Sequence, residues 1–247
     1  MGQGHSSPKT VAWFPTASEI HSTRQILVFG CGLPVEIATE VLRLAKYWAA
    51  DILIYDVPIT IHETEEVLIQ VDDVLSELKY MSSVRLEHSS GFENGPEDSL
   101  DQKTGKIEVI DWNIISHDQG WSDYTQDHGT YRNSWTWFEV AVFKSIKPHC
   151  PDSIENSYSD NSKEIDNEAG LNWHRICCNI HARYEFTTHN RTWLPNHPFI
   201  QELKHLLAEE QVSTEKKSVG IKVRAVAHYP GWMNSIQNME CKIYYSF

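Results

Sequence analysis

The feature that most constrains this chain is a period of two that runs through its last third. In RICCNIHARYEF, residues Ile176, Cys178, Ile180, Ala182, Tyr184 and Phe186 alternate with Arg175, Cys177, Asn179, His181, Arg183 and Glu185. Successive strand side chains point to opposite faces, so this spacing predicts one core face and one wet face. VGIKVRAVAHY repeats it with Val219, Ile221, Val223, Ala225 and Ala227 inward, and NMECKIYYSF with Met239, Cys241, Ile243, Tyr245 and Phe247. Upstream, KIEVIDWNII is a further strand candidate, and SWTWFEVAVF sets Phe138, Val140 and Val142 against Glu139 and Ala141. Only PFIQELKHLLAEEQ interrupts with helical spacing, at Phe199, Leu203, Leu206 and Leu207. Antiparallel strands with long connections and no βαβ rhythm predict a mainly β fold: an antiparallel, jelly-roll-like β-sandwich with an N-terminal helix and one or two short helices.

The N-terminal part reads differently. Residues 1–32 have no steady period and read as an arm. LPVEIATEVLRLAKYWA reads as a helix, with Pro34 in the first turn and an apolar stripe of Ile37, Val41, Leu44, Ala45 and Trp48 expected to dock on the sandwich. Residues 33–80 are expected to be a mixed attachment, strand first through ILIYDVPITIHE, then helix on the spacing of Val67, Val71, Val74, Leu75 and Leu78. The sandwich itself is expected over 81–247, with the acidic stretch 151–170 as a mobile insertion.

Composition excludes several partners. A net charge of -13 argues against tracking nucleic-acid phosphates or binding an anionic membrane. No run of 18 apolar residues is present. Five cysteines without a CxxC do not suggest a disulfide framework or a zinc site. With no export signal expected, the reading is a cytoplasmic or nuclear protein.

Chemistry-bearing residues concentrate in ISHDQGWSDYTQDHGTYRNSWTWFEV, residues 115–140. His117, Asp118, Asp123, Asp127 and His128 crowd one segment, but at no recognised metal spacing, so no metal and no cofactor are expected; the aspartates could at most hold a calcium ion. His117 and His128, with Asp118 or Asp127 to orient an imidazole, are candidate acid-base catalysts. Trp121, Tyr131, Trp135, Trp137, Tyr229 and Trp232 are candidate ligand-binding residues, because indole and phenol rings pair a large apolar face with a polar tip. The competing reading is that these rings fill the core.

Taken together, LPVEIATEVLRLAKYW, SHDQGWSDYTQDHGTYRNSWTWFEV, HNRTW and RAVAHYPGWMNSIQNMECKIYY resemble a poorly characterised group of fungal proteins, some of which carry the module beside ankyrin repeats. The resemblance implies an intracellular β-sandwich module and brings no established activity. The opening helix is also similar to the start of an F-box, without the rest of one. The expected function is a binding module for a small molecule, glycan or peptide. Alternatives are a cofactor-independent enzyme of cyclase or isomerase type, or a scaffolding protein.

Overall fold

The computed structural model describes residues 13–62, 66–71, 106–146, 170–212 and 217–246. The chain is a sandwich of two antiparallel sheets. Its strands are β1 (Ala49–Tyr55), β2 (Ile59–His62), β3 (Glu66–Val71), β4 (Lys106–His117), β5 (Thr136–Ile146), β6 (His174–Cys178), β7 (Thr187–Trp193), β8 (Lys217–Ala227) and β9 (Met233–Ser246). The first sheet has the order β1-β9-β4-β7, with β2 also paired to β9, and the second the order β3-β8-β5-β6. From β6 onward each connection crosses from one sheet to the other, which is the jelly-roll arrangement.

The core follows the period-two pattern. Ile110, Trp112 and Ile114 of β4, Phe138, Val140 and Val142 of β5, Ile221 and Val223 of β8, and Met239, Cys241, Ile243 and Tyr245 of β9 are all buried in one cluster. Such strands are favoured because β-branched and aromatic side chains pack well on a pleated, half-buried surface. One helix, α3 (Pro198–Val212), links β7 to β8. Its Phe199, Ile200 and Leu203 join the same core, as the helical spacing predicts. Ahead of it, Trp193 stacks on His197 with centroids 4.0 Å apart.

Three expectations are corrected. The RICCNIHARYEF alternation does not run as one strand. β6 stops at Cys178, Ala182 takes a φ of 53°, and Tyr184 and Phe186, expected inward, are exposed. A register shift between Phe138 and Glu139 also places Cys177 opposite Phe138, so Cys177 is buried while Cys178, expected inward, is half-buried. The outer side of the second sheet is not simply wet: Ala141, Phe143 and Lys222 are buried, and Glu139 accepts from Arg224 at 2.9 Å and from Arg175 at 3.4 Å.

Second, residues 49–71 are not an attachment. β1 and β2 pair with β9, and β3 pairs with β8, so both sheets draw strands from this stretch and the sandwich begins at residue 49 rather than 81. Val67 and Val71, expected on a helix, lie in β3; Val74, Leu75, Leu78, most of the acidic insertion and Phe247 lie outside the described residues.

Third, the N-terminal helices sit otherwise than predicted. Residues expected to be a patternless arm contain α1 (Ala17–Gln25), started by a capping box in which Thr16 and Glu19 satisfy each other's backbone N–H. A π-helical turn (Ile26–Gly30) leads toward α2 (Val35–Leu44). The predicted stripe of α2 faces solvent: Ile37 is 50% and Leu44 67% exposed, whereas Ala38 and Leu42 are buried. Apolar residues surround most of this helix, so periodicity alone could not choose its docking side. Phe14 and Trp48 meet Tyr244 of β9, at 5.6 and 6.3 Å between ring centroids, tying this unit to the first sheet.

Candidate functional site

Strand pairing decides which segments share an end of the sandwich. His117 at the end of β4 lies opposite Ser235 near the start of β9, Ser116 lies opposite Thr187 at the start of β7, and Thr136 at the start of β5 lies opposite Ala227 at the end of β8. The β4–β5, β6–β7 and β8–β9 loops therefore converge. The candidate residues of SHDQGW and YPGWMN stand at this one end, together with the NIHARY segment.

A buried polar network holds the end together. Ser116 Oγ donates to Asn179 Oδ1 at 2.6 Å, and Asn179 Nδ2 donates to Thr136 Oγ1 and to Asn234 Oδ1, each at 2.9 Å. Asn234 Nδ2 reaches the carbonyls of Val226 at 3.2 Å and Trp137 at 3.4 Å. All four side chains are fully buried. Since β4 and β9 belong to the first sheet and β5 and β8 to the second, the network rivets the sheets across the core. Buried polar groups are tolerated when each finds partners, and here they do.

Asp118 is the fastener between loops. Its Oδ1 accepts from the backbone N–H of Gly120 and Arg183, each at 2.9 Å, and its Oδ2 from that of Ala182 at 2.6 Å. Burial raises its carboxyl pKa above the ordinary value, against the pull of those three N–H groups and of His181. Gly120 is needed beside it: φ is 82°, and a Cβ there would stand 2.8 Å from the Cβ of Tyr184.

The other acid-base candidates are likewise engaged with the backbone. His117 is buried, donates through Nδ1 to the Asp118 carbonyl, and packs between Tyr184 and Phe186 at 5.1 and 4.5 Å. His128 is exposed and donates through Nε2 to the Ser122 carbonyl at 2.8 Å. Asp127 accepts from Asn133 Nδ2. Asp123 is exposed. Among the described residues no three His, Cys, Asp or Glu side chains converge as a metal site, Asp118, Asp123 and Asp127 included. At Cys177, Cys178 and Cys241 the nucleophilic thiolate is disfavoured: burial pushes the Cys177 thiol up to about 12 and raises those of the other two.

The six aromatic candidates do not form one floor. Trp135, Trp137 and Tyr229 gather around His228, at 6.1, 5.3 and 4.4 Å, and Arg175 lies 4.2 Å over Trp137, which is itself buried. Tyr131 stands apart against His189 at 5.9 Å. Trp121 and Trp232 line a half-open cleft of about 250 Å³ together with His62, Gln119, Gly231 and Met233. Gln119 sets its shape, donating to the Trp121 carbonyl at 2.8 Å and accepting from Met233 N–H at 3.4 Å. Gly231, at φ 82°, takes the left-handed conformation that favours glycine, and a Cβ there would only reach ordinary contact with Trp121 Cη2, at 3.9 Å. Trp232 is backed by His181, edge-on at 5.3 Å; that fully buried imidazole donates through Nδ1 to the Arg132 carbonyl at 3.0 Å. Gln119, His62, Met233, Asn179 and His181 were missed as site residues from sequence. Gln119 lay within the SHDQGW segment, but Asn179 and His181 were assigned to a wet strand face.

No protein-family profile matches the chain, and no curated protein matches it. Among solved structures, the decameric BFDV capsid protein is similar over 81% of this chain and 98% of that one, with 11% identity and a TM-score of 0.27. A likeness that distant carries no argument beyond the sandwich that the strand pairing already defines. No helix among the described residues is long and apolar enough to cross a membrane.

Proposed function

We propose that this protein is a binding module that takes a small molecule, or one group of a glycan or peptide, in the cleft between its β4–β5 and β8–β9 loops. One observation carries the reading: Trp121 is 61% exposed yet sits on a loop clamped by Asp118 and Gln119. A large ring left facing solvent on a rigid loop is a ready contact surface, because little ordering entropy remains to be lost on binding. The net charge of -13 favours neutral or cationic ligands over anionic ones. The acid-base candidates support fastening roles more than catalysis, since Asp118, His117 and His128 each bond to backbone. A cytoplasmic or nuclear setting remains part of the proposal.

The test is native mass spectrometry of the purified protein for a copurified ligand, followed by titration of that ligand into the wild type and Trp121→Ala. Retention in the wild type and loss in the variant supports the reading. A ligand held equally well by Trp121→Ala places binding elsewhere and removes the cleft from consideration.

A further inference from the structure

Resting on the binding reading above, we infer that the cleft receives an uncharged saccharide ring, stacked by its C–H face on the Trp121 indole with its hydroxyl edge toward Gln119. Four observations select this class. The volume, about 250 Å³, falls just below the range of about 300–1,000 Å³ typical of drug-sized ligands, so one ring fits and a longer molecule must run outward. The half-open shape allows that, as a glycan chain requires.

The lining is the second observation. Among the described residues it contains two indoles, a thioether, an amide, an imidazole and a glycine, and no Asp, Glu, Lys or Arg. An anionic ligand would meet no counter-charge and would also be repelled by the protein's overall charge. An extended peptide draws its affinity from backbone bonds along a strand edge, whereas most of these walls are loop side chains. A pyranose is amphipathic in the matching way, with apolar C–H bonds on one face and hydroxyls around the rim.

Third, Gln119 is positioned as a hydroxyl reader. One amide hydrogen is engaged by the Trp121 carbonyl and one lone pair by Met233 N–H, leaving a second hydrogen and a second lone pair to face a group that both donates and accepts. Fourth, Trp121 is pre-placed, because Gln119 Nε2 donates to its carbonyl and Asp118 accepts from the N–H of Gly120 beside it.

The experiment is intrinsic tryptophan fluorescence of the full chain, with isothermal calorimetry, against methyl glycosides of glucose, galactose, mannose and N-acetylglucosamine, with sialic acid, tetramethylammonium and indole as comparisons. A saturable response to at least one neutral glycoside is expected, weakened about tenfold in Trp121→Ala and largely kept in Trp121→Phe, which preserves a stacking face. Trp121 is exposed, so its replacement should not unfold the protein, and unchanged thermal melting verifies this. Binding of tetramethylammonium or indole that depends on Trp121, with no response to any glycoside, overturns the saccharide assignment and leaves the binding reading standing. Trp121-independent binding, or no response to any probe, overturns both.

Discussion

Asp118→Ala tests whether the loop end is built as described. The wild-type carboxylate is fully buried and accepts three backbone N–H bonds, from Gly120, Ala182 and Arg183. A hydrogen bond to a charged group contributes about 1.5–3 kcal/mol net, and orphaned buried donors carry a further desolvation cost. Three such bonds do not add fully, because they share one carboxylate and the freed loops can relax toward water. We therefore expect Asp118→Ala to destabilise by about 3–5 kcal/mol, as when one partner of a buried charged pair is removed. Asp118→Asn keeps an oxygen for two of the donors and turns an NH2 toward the third, while avoiding the desolvation of a charge that burial already disfavours. Its expected cost is smaller, about 2 kcal/mol. Urea denaturation followed by tryptophan emission measures both, with Asp123→Ala, at an exposed aspartate, as the control within about 0.5 kcal/mol of wild type. If Asp118→Ala unfolds at the wild-type midpoint, the clamp is not holding the two loops and the rigidity argued for Trp121 fails with it.

Three further outcomes follow from particular residues. Burial lowers the His189 pKa from 6.5 to about 4, so the unfolded chain binds the proton more readily; stability should be full above about pH 6.5 and fall toward pH 4, by at most about 3 kcal/mol, and His189→Gln should flatten that slope in pH-resolved urea melts. Asn234→Ala removes an amide that bridges both sheets and leaves one of the two Asn179 Nδ2 hydrogens without its acceptor, the other still bonded to Thr136, with an expected loss of about 2–3 kcal/mol; a loss below about 0.5 kcal/mol would show that the network does not rivet the sandwich. Phe29→Ser and Ile37→Ser, at residues 83% and 50% exposed, should each leave the unfolding free energy from urea melts within about 0.5 kcal/mol of wild type, whereas docking of the predicted helix stripe against the sheet would make Ile37→Ser far more costly.

The sequence by itself determined the material of the fold. Alternation in VGIKVRAVAHY and NMECKIYYSF placed Val219, Ile221, Val223, Met239, Cys241, Ile243 and Tyr245 inside because period two is a property of the strand backbone and needs no partner. The α3 helix was legible for the same kind of reason. The capping box of Thr16 and Glu19 is also written in the letters, as a Thr followed three residues later by a Glu. Register and docking were decided only in three dimensions. A shift of one residue beside Glu139 exchanges Cys177 and Cys178, and nothing local in RICC encodes which of them faces Phe138. The helix stripe of Ile37, Val41 and Leu44 went to solvent because α2 packs beside α1 and the π-helical turn with Ala38 and Leu42 buried instead. The site divides along the same line. The residues of SHDQGW and YPGWMN announced themselves by type, but their roles depended on which loops the sheet crossings brought together. In the letters Asp118 is a candidate to orient a catalytic imidazole; in the fold its carboxylate accepts from Ala182 and Arg183, more than 60 residues away. Six aromatic residues looked like one surface until strand direction separated Trp121 and Trp232 from the rest, because a side chain's neighbours are set by long-range pairing that spacing along the chain does not contain.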